Sequence, residues 1–507
     1  MSVASQSIRS VFPEVNSGNS GPTAQPSGEI GTTAKPSRYN LFIPLTEGRS
    51  LAYNTVSQAF AIWSAQDRDI YDQIQEEPIS IWDSRVKDFL YGGFVVCDTT
   101  DELKEQELRY NGARFDPARM TLTVAPTMAC NFGCDYCFQG LNKPTTKMSQ
   151  LVQDAFVNYL EKALEGVKLL HIAWYGGEPL LGIGIIESLS HRVHELCRTA
   201  NVNYNGFVVT NGYALNRAMA EKLVSLGITS CQITLDGAEE FHDQRRALLS
   251  GRATYRRIID NMLEWINDVS LSVSVRVNID DRNQESVIAL LEDLRDEGFA
   301  NLKNFSIYFA PVEAITEACH GCDEVTLGKK KYADLETSLY RVAFEMGLAP
   351  LPRPPVHLGH CQAIRPNGLL LLPNGDLHKC WDTVHDAGLK VGSIFAADKV
   401  PHNPLYKNWI EWSPFRNNTC RSCKILPNCA GACAHKFVNA EVTKGEAGSL
   451  PCPSWKFNIA ERLLLRAEKM NVITRDDIPP EFQTSSEVVG RNHTFDSVRA
   501  AGELQPA

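Results

Sequence analysis

Three cysteines on one short loop decide how this chain is expected to fold, in the stretch Cys130-Asn131-Phe132-Gly133-Cys134-Asp135-Tyr136-Cys137-Phe138. The loop follows a predicted strand, Thr121–Ala125. Thiolates are the soft ligands that iron–sulfur clusters require, and three of them can hold three irons of a four-iron, four-sulfur cube. The fourth iron then has no protein ligand. The spacing therefore predicts a [4Fe–4S] cluster with one iron open to a cofactor.

Around this loop, from Met120 to about Val312, predicted strands alternate with helical stretches. That alternation is typical of a parallel sheet covered by helices. In Leu271–Ile279 apolar and polar residues alternate strictly, so one face packs on helices and the other is polar. A curled sheet with a polar inner wall leaves room for a cofactor and a substrate. The six predicted strands are Thr121–Ala125, Leu170–Tyr175, Phe207–Thr210, Cys231–Asp236, Leu271–Ile279 and Asn304–Phe309.

A Gly-Gly-Glu-Pro segment, Gly176–Pro179, follows the second predicted strand. Glycines let a backbone approach a ligand closely, and a carboxylate such as that of Glu178 pairs with an ammonium group. Together with the cysteine loop, this segment resembles the radical S-adenosylmethionine superfamily. The resemblance implies an α/β fold, a partial (β/α)6 TIM-like barrel, with the cysteines at the carboxyl-end mouth. It also implies reductive cleavage of S-adenosyl-L-methionine to a 5'-deoxyadenosyl radical that abstracts hydrogen.

The same resemblance implies which residues contact the cofactor. Phe138 is expected to pack near the adenine, and Gly176, Gly177 and Glu178 to hold the methionine amino group. Contacts with the ribose and the carboxylate are expected from the ends of later strands, where each residue equally suits the lining of the cavity: Thr210, Asn211, Asp236, Arg276 and Asn278. Two roles, substrate binding and local structure, stay open for His242, Asp243 and Arg246.

Seven further cysteines form a second pattern: Cys361, Cys380, Cys420, Cys423, Cys429, Cys433 and Cys452. Paired spacings of this kind also suit structural zinc, so zinc stays open for part of the set. The whole arrangement resembles the SPASM extension, which carries two auxiliary [4Fe–4S] clusters. That resemblance assigns Cys361, Cys380 and Cys433 to an inner cluster. It assigns the rest to an outer one, namely Cys420, Cys423, Cys429 and Cys452.

The inner cluster has no obvious fourth ligand in the sequence. An open or unusual site is favoured, and the candidate ligands are Cys319, Cys322, His357 and His360. Asp382 resembles in location the acidic base of anaerobic sulfatase-maturating enzymes and is the candidate catalytic residue. In those enzymes the acid directly follows the cysteine, whereas Trp381 stands between Cys380 and Asp382 here.

The length of 507 residues predicts several domains. Residues 38–100 resemble, in layout only, the winged-helix-like unit with which peptide-modifying enzymes bind a leader peptide as an added strand. A plain packing domain remains the alternative for that unit. The expected segments are 1–37, disordered; 38–100, peptide-recognition unit; 101–118, linker helix; 119–312, partial barrel; 313–354, bridging segment; 355–466, SPASM domain; and 467–507, a largely disordered tail.

The composition of the chain limits which partners and which cellular locations are expected. The formal net charge of −10 argues against nonspecific nucleic-acid binding, and no apolar run is long enough to span a membrane. The N-terminus lacks the pattern of a signal peptide, so a cytoplasmic location is expected. Three cysteines stand outside both patterns and are expected to be buried thiols: Cys97, Cys197 and Cys231.

The leading hypothesis is a maturase that oxidatively modifies a ribosomally synthesised precursor peptide, forming a carbon–carbon cyclophane or a thioether crosslink. The expected partners are a precursor peptide with a leader sequence and a flavodoxin- or ferredoxin-type electron donor. The alternatives are a formylglycine-forming sulfatase-maturating enzyme and a small-molecule radical dehydrogenase. A non-enzymatic iron–sulfur or zinc scaffold is disfavoured by Gly176–Glu178.

Overall fold

The computed structural model describes residues 32–137, 139, 144–313, 325–351, 353–356, 361–439 and 452–483. Five residues singled out in the sequence lie outside these ranges: Phe138, Cys319, Cys322, His357 and His360. The predicted disordered ends, 1–37 and 467–507, also lie largely outside them. The structure describes residues 32–37 and 467–483, which belong to those predicted ends.

Two small antiparallel sheets and two helices form an N-terminal unit. Its elements are β1 (Thr33–Pro36), β2 (Asn40–Pro44), β3 (Ser50–Asn54), β4 (Phe60–Trp63), α1 (Ala65–Glu76), β5 (Ile79–Ser80), α2 (Lys87–Tyr91) and β6 (Val95–Cys97). One sheet has the order β5-β1-β6 and the other β2-β3-β4. Trp63 anchors the core, because its ring lies 4.9 Å from those of both Phe42 and Phe89. Aromatic pairs of this kind supply most of the packing energy of so small a unit.

Strand β1 explains why order begins before residue 38. Its backbone pairs with β5 on one side and β6 on the other. Ala34 is buried, and the Lys35 Nζ donates to the carbonyl of Asp98 at 2.7 Å. These long-range hydrogen bonds fix a segment whose composition alone predicts disorder.

Helix α3 (Glu102–Arg114) runs through the predicted linker and ties it to the C-terminal part. The Asp101 side chain accepts from the Lys104 amide at 3.1 Å and so caps the first turn. At the other end, buried Arg114 donates from Nε to the carbonyl of Ile364 and from Nη1 to that of Trp412, each at 2.8 Å. Carbonyl acceptors satisfy a guanidinium that burial would otherwise leave unpaired.

Six parallel strands with intervening helices form the central sheet, as the alternation predicts. The elements are β7 (Arg119–Val124), α4 (Gln150–Ala163), β8 (Leu169–Trp174), α5 (Ile183–Ala200), β9 (Asn203–Thr210), α6 (Arg217–Ser225), β10 (Ile228–Thr234), α7 (Glu239–Arg245), α8 (Tyr255–Trp265), β11 (Ser272–Ile279), α9 (Gln284–Asp296) and β12 (Phe305–Pro311). Neighbouring strands pair in parallel in the order of the chain. This is the sheet of a partial TIM barrel.

Burial alternates along these strands. In β7 and β8 every second residue is buried, and the residues between are half-buried except for Arg119, which is exposed. The buried residues, such as Leu122 and Ile172, face the helices, while Thr121 and His171 stand on the other face. The sheet therefore has one apolar face and one polar, partly accessible face, as predicted from the sequence.

The C-terminal part continues the central sheet. Its strands are β13 (Gly368–Leu371), β14 (Asp376–His378) and β15 (Gly392–Ser393), and β13 pairs in parallel with β7. The segment 355–466, predicted as a domain of its own, thus shares one nine-stranded sheet with the barrel. The remaining helices are α10 (Lys329–Glu345), α11 (Pro404–Glu411), α12 (Asn418–Ser422), α13 (Leu426–Cys429), α14 (Ala434–Val438), α15 (Trp455–Lys469) and α16 (Pro480–Gln483).

The described chain after α15, as far as Gln483, buries apolar side chains. Ile473, Ile478 and Phe482 are all buried. Asp477 pairs with Arg49 of the N-terminal unit, which ties this segment to the opposite end of the chain. No helix in the described ranges is long and apolar enough to cross a bilayer.

Candidate functional site

The cysteine loop is fixed by backbone hydrogen bonds to a second loop. The Gly133 amide donates to the carbonyl of Ala247 at 2.9 Å, and the Leu249 amide donates to that of Asn131 at 2.8 Å. Phe132 is fully buried, and its amide donates to the Cys130 sulfur at 3.4 Å. Hydrogen bonds of this kind stabilise a thiolate, so the loop suits a cluster ligand.

The two glycines before Glu178 pack against the chain that leads into the cysteine loop. A side chain at Gly176 would place its Cβ 2.2 Å from the carbonyl oxygen of Thr127. At Gly177 it would lie 2.3 Å from the carbonyl oxygens of Met128 and Ala129. The sequence predicts close approach of these glycines to a ligand. In the structure they approach backbone, which joins the two candidate cofactor segments directly.

Glu178 is buried and held by three donors. Its Oε1 accepts from the Thr210 hydroxyl at 2.8 Å and from the Leu180 amide at 3.0 Å, and its Oε2 accepts from the Asn211 amide at 2.7 Å. Burial raises the pKa of this carboxyl, and the hydrogen bonds oppose that rise. A carboxylate has about four acceptor positions, so it can still accept from an ammonium group.

Thr210 and Asn211, predicted to contact the ribose or carboxylate, have protein partners in this structure. The Thr210 hydroxyl is engaged by Glu178 and also accepts from the Gly212 amide at 3.1 Å. The Asn211 side chain donates to the Asn131 Oδ1 at 2.8 Å, across to the cysteine loop. Their observed contacts orient Glu178 and the loop.

Tyr136 joins the cysteine loop to the ends of the fourth and fifth barrel strands. Its hydroxyl donates to Asp236 and accepts from Arg246 and, at 3.1 Å, from the Asn278 side-chain amide. Burial raises the pKa of Tyr136 well above its ordinary value, so the phenol stays protonated. The Asp236 Oδ1 also accepts from the Asn278 backbone amide at 3.0 Å. The predicted residues Asp236 and Asn278 therefore meet at a tyrosine that the sequence did not single out.

Arg246 brings a buried positive charge to this network. Burial lowers its pKa, but its interactions with Cys134, Tyr136 and Asp236 outweigh that effect and raise the pKa overall. Its guanidinium also lowers the pKa of Glu178. The sequence left two roles open for Arg246, substrate binding and local structure. Its contacts place it beside the cysteine loop, where a fixed cation stabilises thiolates.

Arg276 lies on the polar face of the sheet, as predicted. Its Nε donates to the Asn278 Oδ1 at 2.7 Å. The phenols of Tyr308 and Tyr175 lie close enough to interact with its charge. A half-buried cation on the polar wall suits the binding of a carboxylate.

Three cysteines of the C-terminal part lie close to one carboxylate. Burial raises the pKa of the Cys380 thiol well above its ordinary value, and the charges of Asp382, Cys433 and Cys361 raise it further. Burial likewise raises the pKa of Cys433 to about 11, with contributions from Asp382 and Cys361. These are the three thiols of the predicted inner cluster.

The other four cysteines interact with one another. Burial raises the pKa of the Cys429 thiol to about 12, and Cys423, Cys452 and Cys420 add to the rise. Burial also raises the pKa of Cys420 to about 12, with Cys423 and Cys452 as neighbours. These are the four thiols of the predicted outer set.

The distance between cysteine sulfurs differs between a structural zinc site and an iron–sulfur cube. In the described part of the chain, no three His, Cys, Asp or Glu side chains converge closely enough to hold one metal ion. A structural zinc ion needs four ligands at one centre. In a [4Fe–4S] cube each cysteine binds a different iron, so the sulfurs stand further apart. Structural zinc and a cube therefore place different demands on the distances between the cysteine sulfurs.

The C-terminal cysteine region meets the barrel at an aromatic contact. Trp381, next to Cys380, packs on Tyr175 at the end of β8, with ring centroids 4.0 Å apart. Tyr175 directly precedes Gly176. This side-chain contact adds to the backbone pairing of β13 with β7, which also joins the two regions. Of the three cysteines outside both patterns, Cys197 and Cys231 are buried and Cys97 is partly exposed.

Comparison with known proteins supports this description. The family profile described as the Radical SAM superfamily matches residues 124–294. The sporulation killing factor maturation protein SkfB of Bacillus subtilis is 28% identical over 200 residues, which are 39% of this chain and 45% of that protein. The cysteine-type anaerobic sulfatase-maturating enzyme of Clostridium novyi is 20% identical over 363 residues, 66% of this chain and 93% of that protein.

Solved structures share the fold. Native anSMEcpe with bound AdoMet aligns with a TM-score of 0.53 at 17% identity, covering 69% of this chain and 99% of that chain. At such an identity the likeness concerns the fold alone. The match to SkfB spans less than half of that protein's length.

Proposed function

Since residues 124–294 form a radical SAM domain, we propose that the chain is a maturase that oxidatively modifies a ribosomally synthesised precursor peptide and forms a crosslink in it. The observation that carries the proposal is the contact between two chemical regions. The cysteine loop and Glu178 form one hydrogen-bonded unit, and the seven-cysteine region reaches it through Trp381 and Tyr175.

The residues present fit S-adenosyl-L-methionine and a [4Fe–4S] cluster. Cys130, Cys134 and Cys137 supply three thiolates, and Glu178 supplies a buried, oriented carboxylate for the cofactor's ammonium group. Arg276 supplies a cation for its carboxylate. Bound here, the two groups supply a 5'-deoxyadenosyl radical that takes a hydrogen atom from the substrate. The polar wall of the sheet then orients the peptide beside that position.

A role for the second cysteine region follows from the electron balance of a crosslink. Forming one bond between two residues removes two hydrogens from the peptide. One leaves as the hydrogen atom taken by the radical, and the other leaves as a proton and an electron. We assign the uptake of that electron to two auxiliary [4Fe–4S] clusters, bound by the inner and outer cysteine sets. A flavodoxin- or ferredoxin-type donor supplies the electron that starts each turnover.

The N-terminal unit is proposed to bind the leader of the precursor. In the order β5-β1-β6 the strands β5 and β6 are outermost, and an extended peptide can add to such an edge. Trp82 lies two residues after the end of β5 and is 81% exposed, so it offers an aromatic anchor beside that edge. The unit also contacts the cysteine region, because the Thr55 hydroxyl donates to the carbonyl of Lys424 at 2.6 Å.

The second candidate is formylglycine formation on a sulfatase. It is favoured by similarity to the cysteine-type enzyme of Clostridium novyi, of which the match spans 93%. That reaction also removes two electrons, so the auxiliary clusters suit it equally. What differs is the product, which carries an aldehyde and no new bond between residues.

One experiment separates the two. The anaerobically reconstituted protein is given S-adenosylmethionine, a reductant and either of two peptides, one encoded by a short reading frame beside the gene and one taken from a cysteine-type sulfatase. A crosslinking maturase yields a product of the first peptide that has lost two hydrogens and does not react with a hydrazide. A hydrazide-reactive product of the second peptide instead contradicts the proposal and supports the alternative.

A further inference from the structure

The N-terminal unit contacts residues 420–432, here called the outer segment, at more than one point. Thr55, in the turn after β3, is buried, and its hydroxyl donates to the carbonyl of Lys424 at 2.6 Å. Lys424 is the residue after Cys423. The carbonyl of Thr55 accepts from the side-chain amide of Asn428, the residue before Cys429, at 3.3 Å. One buried residue thus bonds to two positions that directly flank cysteines of the outer set.

A second contact comes from the chain that follows β1. Arg38 is exposed, and its Nη2 donates to the carbonyl of Arg421 at 2.6 Å. Arg421 is the residue after Cys420. The next residue along from Arg38, Tyr39, is fully buried, and its carbonyl accepts from the Thr55 amide at 3.1 Å. Each of the first three cysteines of the outer set therefore has a chain neighbour that is hydrogen-bonded to the N-terminal unit.

The end of the outer segment adopts a backbone conformation that its own residues disfavour. Ala430 and Ala432, which follow Cys429, have φ values of 47° and 55°. In this left-handed region the Cβ of an alanine comes too close to the following carbonyl oxygen. Such a backbone persists where the surrounding structure holds it in place. The hydrogen bonds from the N-terminal unit are among the contacts that hold this segment.

We propose that the N-terminal unit completes the outer cluster site, with Thr55 and Arg38 as positioning residues for Cys420, Cys423 and Cys429. The inference rests on the outer [4Fe–4S] cluster of the proposed function. A cube fixes the separations of its cysteine ligands, and groups outside the ligand set orient those ligands through hydrogen bonds. The N-terminal unit then has a second role besides leader binding, and it performs that role whether or not a peptide is bound.

The turn that carries Thr55 also supplies a matched control. The Ser57 hydroxyl donates to the carbonyl of Gly92 at 2.6 Å, within the N-terminal unit. The hydroxyls of Thr55 and Ser57 thus make hydrogen bonds of equal length to carbonyl oxygens, and that of Thr55 is the one that reaches the outer segment. Removing the Ser57 hydroxyl weakens the same turn and leaves the contact with Lys424 in place.

The experiment uses the full chain with Cys130, Cys134 and Cys137 replaced by Ala, so that the iron measured belongs to the auxiliary clusters. In that background the parent is compared with Thr55→Val, which keeps the shape of the side chain and removes its hydroxyl. Thr55→Ser restores the hydroxyl, and Ser57→Ala is the control. Release of iron to a chelator is followed over time, and EPR spectra of the reduced proteins are recorded.

Thr55→Val is expected to release about half of its iron roughly tenfold faster than the parent, because the buried carbonyl of Lys424 loses its donor. The EPR signal of one of the two clusters is expected to change with it. Thr55→Ser and Ser57→Ala are expected to match the parent in both measurements. Parent-like release and an unchanged spectrum for Thr55→Val would overturn the inference, as would equal changes in Thr55→Val and Ser57→Ala.

Arg38→Ala is the second variant, because an exposed side chain can be removed at little cost to folding. Loss of its hydrogen bond to Arg421 is expected to speed release of the same half of the iron about threefold. If Thr55→Val does not fold, release from Arg38→Ala at the parent's rate would overturn the inference. A parent that binds zinc in place of iron would instead contradict the auxiliary clusters of the proposed function, and this inference would fail with them.

Discussion

The loop that carries Cys130, Cys134 and Cys137 is held by a network of hydrogen bonds between protein groups, whereas in the seven-cysteine region buried thiols lie near other thiols. In the first region, backbone hydrogen bonds and the network around Tyr136 fix the chain. In the second, burial and neighbouring thiols raise the pKa of Cys420 and Cys429 to about 12. Thiols in such surroundings become thiolates only when a metal compensates their charge. The first region is thus preorganised, and under the proposed function the second becomes ordered for electron transfer only when its clusters bind.

The largest expected effect comes from removing the ligands of either region. Replacing Cys130, Cys134 and Cys137 by Ala is expected to lower the production of 5'-deoxyadenosine by at least ~1000-fold and to leave the auxiliary clusters in place.

Cys429→Ala is expected to impair peptide turnover more than uncoupled cleavage of the cofactor. Chromatography of the nucleoside and iron analysis measure both. Equal loss of both activities in a folded Cys429→Ala protein would count against a separate electron-exit role.

Gly177→Ala tests how tightly the first region is packed. Its Cβ would lie 2.3 Å from two backbone oxygens, so we expect a loss of about 3–5 kcal/mol of stability, or displacement of the cysteine loop. Gly184→Ala is the control, because no atom lies within 4 Å of the added Cβ and the position is helical. Thermal unfolding compares the two. Equal stability of both variants would show that the loop is not packed as described.

The sequence predicts those features of the fold that follow from a local pattern, and it does not reveal contacts between residues far apart in the chain. Alternation in Leu271–Ile279 predicts a strand with one polar face, because period-two patterns report burial directly. The network of Tyr136, Asp236 and Arg246 joins residues about a hundred positions apart, and no local pattern reveals it. Strand β1 was missed for a similar reason, since its hydrogen bonds come from distant strands.

The pH dependence of cofactor binding tests the role of Glu178. Burial raises the pKa of its carboxyl above the ordinary 4.5, and an ammonium group binds the ionised form. Affinity for S-adenosylmethionine is therefore expected to fall as pH is lowered through the raised pKa, by up to about tenfold per pH unit. The stability of the ligand-free fold depends on pH in the opposite direction. The contribution of this group to stability is present below the unfolded pKa and is lost as pH rises through the folded one.

Glu178→Gln is the matched variant for that measurement. It keeps the size of the side chain and cannot ionise, so its weaker binding is expected to be independent of pH over the same range. Isothermal titration at several pH values provides the comparison. A pH profile unchanged from that of the parent would assign the dependence to another group.

Trp381→Ala addresses the contact between the two regions and has the smallest expected effect. Loss of the ring pair with Tyr175 is expected to cost about 1–3 kcal/mol of stability and to slow peptide turnover severalfold, with cofactor cleavage nearly unchanged. Trp82→Ala controls for the loss of an indole, because Trp82 is 81% exposed and its removal is expected to cost less than about 0.5 kcal/mol. An equal effect of the two substitutions on stability would argue that the contact does not join the regions.

The central claim is that the cysteine loop holds a cube with one iron open to the cofactor. EPR spectroscopy of the anaerobically reconstituted, reduced protein, recorded with and without S-adenosylmethionine, tests it most directly. A change in the signal of one cluster on adding the cofactor, absent when Cys130, Cys134 and Cys137 are Ala, is the predicted result. A spectrum that the cofactor leaves unchanged in the parent protein would contradict the account.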